Sequence, residues 1–192
     1  MSDSEATEYY MLESDVEDEM LLENMHGAGG GSWFSGQRFR QPVAEPISLN
    51  IMPGYEEDTL PACWQSSVPM MRDDLIAFLR AHGVDNIDAY RLEIRNKKTG
   101  EVHQGYCAVN IIGLVSAADP ARTAYSPDNP SRLIDADIDS LAIDPQRTHE
   151  QLLFRLAECV TGVAVHKRIK HFVEASGKFP DLRFVLPKDW IG

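Results

Sequence analysis

The sequence predicts an α+β fold: a mixed or antiparallel sheet with two similar helix–glycine–strand units packed on it, preceded by an irregular N-terminal segment. Three observations predict it. Two segments carry apolar residues at helical spacing, each closed by a glycine and followed by a strand pattern. Residues 87–112 alternate on both sides of a polar turn, as a β-hairpin does. Residues 33–61 are rich in Pro, Gly and Asn, with apolar residues spaced as in short strands.

From the N-terminus, Tyr9, Tyr10, Met11 and Leu12 form a short aromatic and apolar run inside an acidic stretch, expected to be an edge strand. Glu13 to Glu23 sets Val16, Met20, Leu21 and Leu22 among acids, the pattern of a weak amphipathic helix or a solvated loop. Gly27 to Gly31 reads as a flexible break. The chain therefore divides into an acidic arm with its linker (1–31) and a single α+β domain (32–192). Ile47, Leu49 and Ile51 alternate as a strand. Met71, Leu75, Phe78 and Leu79 make one apolar face of a helix, with Ser67 as cap, Pro69 in the first turn and Gly83 at the end. Tyr90, Leu92 and Ile94 share one face of the first hairpin strand. The continuous apolar run Cys107 to Val115 predicts a central strand buried on both faces. Asp119 to Arg132 is a loop, Ile134 to Ile143 a strand, and Leu152 to Leu156 another. A second helix starts near Val165, and Leu182 to Leu186 is the final strand. Val165, Ile169, Phe172, Val173 and Gly177 repeat the spacing of Met71, Leu75, Phe78, Leu79 and Gly83 at one constant offset. That shared spacing predicts two copies of one structural unit.

The formal net charge is -12, and it is unevenly spread. Nine of the 30 acids fall within residues 1–25, which hold no Lys or Arg, leaving 21 acids against 18 bases elsewhere. Direct nucleic-acid binding is disfavoured, since phosphates need a basic surface. A basic protein partner is allowed, through electrostatic steering and rim contacts. No apolar run approaches the ~20 residues needed to cross a bilayer. The acidic start lacks the pattern of a secretory signal, so the cytoplasm is the expected location. Cys63, Cys107 and Cys159 are odd in number and far apart, which implies no disulfide framework.

No phosphate loop, dinucleotide fingerprint, nucleophile elbow or zinc motif occurs, and no cofactor is expected. Asp135, Asp137 and Asp139 resemble the start of a calcium loop, but Ser140 replaces the required glycine and Gln146 the closing carboxylate. They read better as the water-facing side of a strand whose Ile134, Ala136 and Ile138 point inward. That acidic stripe, together with Glu17, Asp18 and Glu19 of the arm, is the candidate partner-binding surface. His166 and His171 are five apart, which does not place two ligands together on a helix. Lys167 and Arg168 give the second helix a basic outer face, expected to pair with the arm or face solvent, with contact to a partner as the alternative.

The segments Leu152 to Glu158, Val163 to Lys170, Gly177 and Leu182 to Phe184 resemble immunity protein family eleven of bacterial polymorphic-toxin systems. So do the helix before Gly83 and the strand Tyr106 to Val115 with Asn110 inside it. The likeness covers roughly residues 65–115 and 138–186, with a weaker echo at 9–12. The second helix departs from the family in beginning His166, Lys167, Arg168, and the acidic stretch and glycine run are additional length. The resemblance implies a non-enzymatic immunity protein that neutralises a cognate toxin by stoichiometric binding. A small enzyme with scattered catalytic residues, or an acidic adaptor for a basic protein, are the competing expectations.

Overall fold

The computed structural model describes residues 8–15, 22–24, 32–51, 53–55, 60–64, 68–129 and 131–192. These residues form an α+β fold. In chain order the strands and helices are β1 (Tyr9–Ser14), β2 (Leu22–Asn24), β3 (Ile47–Ile51), β4 (Cys63–Trp64), β5 (Met70–Arg72), α1 (Asp73–Ala81), β6 (Ile87–Arg95), β7 (Val102–Ile111), β8 (Leu114–Val115), β9 (Ala124–Tyr125), β10 (Ile138–Ser140), β11 (Leu153–Leu156), β12 (Val163–His166), α2 (Lys167–Ser176) and β13 (Leu182–Val185).

Two mixed sheets carry most of the strands. One runs β2-β3-β6-β7-β5-β4 and the other β13-β1-β12-β11-β8, while β9 and β10 pair separately. The hairpin β6–β7 lies at the centre of the first sheet, as the sequence predicts. The apolar run 107–115 is not one strand, however. Gly113 takes φ +113°, and the chain leaves β7 to enter the second sheet as β8, parallel to β11. A β-carbon there would sit 2.9 Å from the Gln151 side-chain oxygen, so both the turn and the close approach call for glycine.

Both helices start later than their apolar periodicity suggests. Met71 belongs to β5, because residues 70–72 pair with β7 on one side, while Cys63 and Trp64 pair with them on the other. Val165 likewise belongs to β12. Ser67 lies outside the described residues, and the N-cap of α1 is Arg72, whose side chain makes no capping bond. Arg72 (φ -69°, ψ 141°) and the α2 cap His166 (φ -67°, ψ 143°) sit at the same offset as the helical residues and share one backbone conformation. The two units are therefore strand–helix–glycine–strand.

The strand order around them also matches. In the first sheet β5 lies between β4 and β7, and β7 between β5 and β6. In the second, β12 lies between β11 and β1, and β1 between β12 and β13. All six pairings are antiparallel. The N-terminal strand thus occupies in the second sheet the place that β7 holds in the first. This corrects two expectations. Tyr9 to Leu12 is an interior strand with all four side chains buried, because it has partners on both sides. A boundary at residue 31 does not set residues 9–14 apart from the domain.

The inner faces of both sheets and both helices meet in one apolar cluster that includes Leu12, Met71, Leu75, Val109, Leu153, Val165, Ile169 and Val173. His82 is stacked between Phe78 (4.2 Å) and Phe172 (4.3 Å), joining the two helices. The outer face of the first sheet is covered by Trp33 and Phe39. That of the second is covered by residues 115–143 and Trp190.

Candidate protein-docking site

The segment covering the second sheet ends in an exposed acidic ridge. β10 is held from both sides: Ile138 pairs with Tyr125 of β9. Its backbone also exchanges two hydrogen bonds with Gly192, at 2.6 and 2.9 Å. Ile138 is fully buried, so alternation along the strand sends Asp137 and Asp139 outward, and both are exposed. Ala136 is buried and its N–H donates to the Glu158 carbonyl (2.9 Å), which anchors the segment between the two aspartates to the body.

The predicted strand 134–143 is shorter than expected. Only residues 138–140 pair with β9, because Asp135 adopts φ +50° and turns the chain before it. Asp135 is exposed at that bend and does not lie on the strand face with Asp137 and Asp139. Ile134, expected to point inward, is 65% exposed, and Leu133 beside it is 73% exposed. Asp135, Asp137 and Asp139 therefore share one exposed segment, in a different backbone geometry from the one predicted. Glu17, Asp18 and Glu19 lie outside the described residues. Sequence reading missed the apolar character of this ridge. Its signal was Leu133 beside Ile134 straight after the proline-rich loop, at the start of the predicted strand, where the alternation is least constrained.

The turn before the ridge is fixed by polar contacts. Asn129 Nδ2 donates to the Asp135 carbonyl (2.6 Å), and Ser131 Oγ donates to the Ile134 carbonyl. Arg132 donates to the carbonyls of Asn129 (2.7 Å) and Ser131 (2.8 Å) and stacks 4.7 Å from the Tyr125 ring centre. Its charge is thus held against the body while four aspartates, counting Asp128, are exposed along residues 128–139.

Shallow clefts of 420, 570 and 360 Å³ adjoin His149, which with Glu150 takes a left-handed backbone conformation. The largest is lined by both signs of charge, including Glu8, Glu150, His166 and Arg168. The pKa of His166 is lowered, chiefly by burial, and its Nδ1 is engaged in capping α2 by accepting from the Arg168 N–H (3.1 Å). Among the described residues no group of three or more His, Cys, Asp and Glu could hold a metal ion. No described helix is long and apolar enough to cross a membrane.

The thiols are poorly suited to nucleophilic attack. Cys63 and Cys159 are buried. Burial, reinforced by the Asp73 carboxylate that accepts its S–H at 3.1 Å, pushes the Cys107 thiol up to about 12. Alkylation of native Cys107 at pH 8 is expected to run at least about tenfold slower than in the denatured chain, because the thiolate is the reacting form. Residue-resolved mass spectrometry after iodoacetamide treatment checks this, and equal rates would contradict the assignment.

Among known proteins no family model matches the chain, and no curated protein matches it.

Proposed function

We propose that this chain is an immunity protein that neutralises a cognate toxin by binding it stoichiometrically in the cytoplasm of the producing cell. The observation that carries the reading is the ridge around Asp135, Asp137 and Asp139. It is exposed, acidic and fixed in conformation by its own hydrogen bonds. A surface ordered before binding loses little entropy on association, and its charge favours a basic partner such as a nuclease domain. The likeness of the Leu152–Glu158 and Val163–Lys170 segments to immunity proteins supplies the partner class.

Co-expression with the product of the adjacent open reading frame tests the reading. That product should arrest growth alone, and this chain should restore growth and co-purify with it in equal amounts. A product that is harmless, or that forms no complex, would overturn the reading. Two charge-neutralised variants separate this reading from the acidic adaptor. D135N/D137N/D139N should slow association by about tenfold at low salt. E17Q/D18N/E19Q should slow it less than the ridge variant does. The reverse order would favour the adaptor.

A further inference from the structure

We infer that Leu133 and Ile134 form an apolar plug which inserts into a hydrophobic pocket ringed by Lys and Arg on the partner, an assignment that rests on the toxin-binding reading. Three of the most exposed large apolar side chains are Leu133 (73%), Ile134 (65%) and Ile191 (76%). Two of them are adjacent and stand at the head of the acidic ridge. The third, Ile191, precedes Gly192, whose backbone pairs with that of Ile138 in the ridge.

Isolated exposed apolar residues need no explanation, whereas a fixed apolar pair does. The pair here is held out by design of the turn. Ser131 Oγ and Asn129 Nδ2 bond the backbone of Ile134 and Asp135, Arg132 bonds the carbonyls on the other side, and Asp135 supplies the left-handed bend. None of these contacts uses the side chains of Leu133 or Ile134, which leaves both free for a pocket. The charge around them selects the partner. Asp135, Asp137 and Asp139 follow the apolar pair along one exposed segment, and Arg132 beside the pair is occupied on Tyr125 and two carbonyls. A neutral apolar pocket would leave those carboxylates desolvated without compensation, while a basic rim pairs them at the wetter edge of the contact. The arrangement is that of an apolar centre with a charged rim, in which the centre governs dissociation and the rim governs encounter.

The test is binding kinetics against the purified product of the adjacent open reading frame. L133S/I134S should melt within 2 °C of the wild type, about what loss of exposed side chains allows. It should raise the dissociation rate at least about thirtyfold and change the association rate less than about threefold. D135N/D137N/D139N should do the opposite, slowing association and flattening its salt dependence. If the wild type binds and L133S/I134S binds within threefold of it, the plug is overturned while the toxin-neutralising reading stands. If the wild type does not bind, both fall. If sedimentation shows a wild-type dimer that L133S/I134S abolishes, the occupant is a second copy of this chain and the inference fails.

Discussion

Met11→Asp is expected to abolish cooperative folding, even though the residue lies within the first dozen of the chain. Met11 is fully buried in β1, between Ala164 of β12 and Val185 of β13. Its side chain packs into the outer cluster with Tyr9, Phe154 and Trp190. An aspartate there must either bury an unpaired charge or take up a proton, because the side chains it packs with in that cluster are apolar. The expected cost, on the order of 5 kcal/mol, is comparable with the whole stability of an ordinary domain. Met11→Leu keeps volume and polarity and should cost less than about 1.5 kcal/mol. Deleting residues 1–15 should act like the aspartate, since it removes an interior strand and leaves the edges of β12 and β13 unpaired. Circular dichroism melts and urea titrations check all three. A cooperative transition for Met11→Asp within 2 kcal/mol of the wild type would refute the placement of β1. One practical consequence is that the role of the acidic N-terminal residues has to be tested by substitution, because truncation also dismantles the second sheet.

The parts of the fold that local physics determines were legible in the sequence. The hairpin β6–β7 announces itself through alternation around a polar turn closed by Gly100, and Asn96 Oδ1 indeed accepts from the Lys98 N–H (3.0 Å). Leu75, Leu79, Ile169 and Val173 fall on buried helix faces, because a 3.6-residue period is a property of the segment itself. What distant partners decide was not legible. Met71 and Val165 satisfy the helical period and the strand pattern equally well, and only their pairing with Cys107 and Tyr10 makes them strand residues. Tyr9 to Leu12 looked like an edge because nothing local reveals that its two neighbours lie more than 150 residues away.

The candidate surface divides in the same way. Asp137 and Asp139 were legible as the polar side of a strand. Ile134 was assigned to the core by the same alternation, and failed because Asp135 adopts a left-handed conformation that an alternation rule cannot register. That single residue separates the buried Ala136 and Ile138 from the exposed Leu133 and Ile134. The feature from which the apolar plug is inferred is thus the point at which the strand pattern breaks.

Arg155→Ala is expected to cost far more stability than Arg155→Met. Arg155 is fully buried on β11, where it sits between β12 and β8. Its Nη1 donates to the Val160 carbonyl, and the guanidinium lies 4.7 Å from the Phe34 ring centre, linking the second sheet to the segment that covers the first. Burial lowers its pKa to about 10. The sign follows from linkage. The unfolded chain holds the proton more tightly, so the buried charge costs the native state about 3 kcal/mol at every pH below 10, and the cost is relieved only as pH rises above that value. Alanine removes the charge but also the stack on Phe34 and the partner of Val160, and it leaves a cavity the length of the side chain. The net loss should be about 3 kcal/mol, or a fall in Tm of roughly 10 °C for a chain of this size. Methionine fills most of the same path without a charge to desolvate. It should therefore fall within about 1 kcal/mol of the wild type, or exceed it. Thermal and urea unfolding of both variants at pH 7 decide the matter. Equal losses in the two would show that Arg155 stabilises through its charge and hydrogen bonds, whereas a methionine variant as stable as the wild type would show that the guanidinium acts mainly as a space-filling strut between the two sheets.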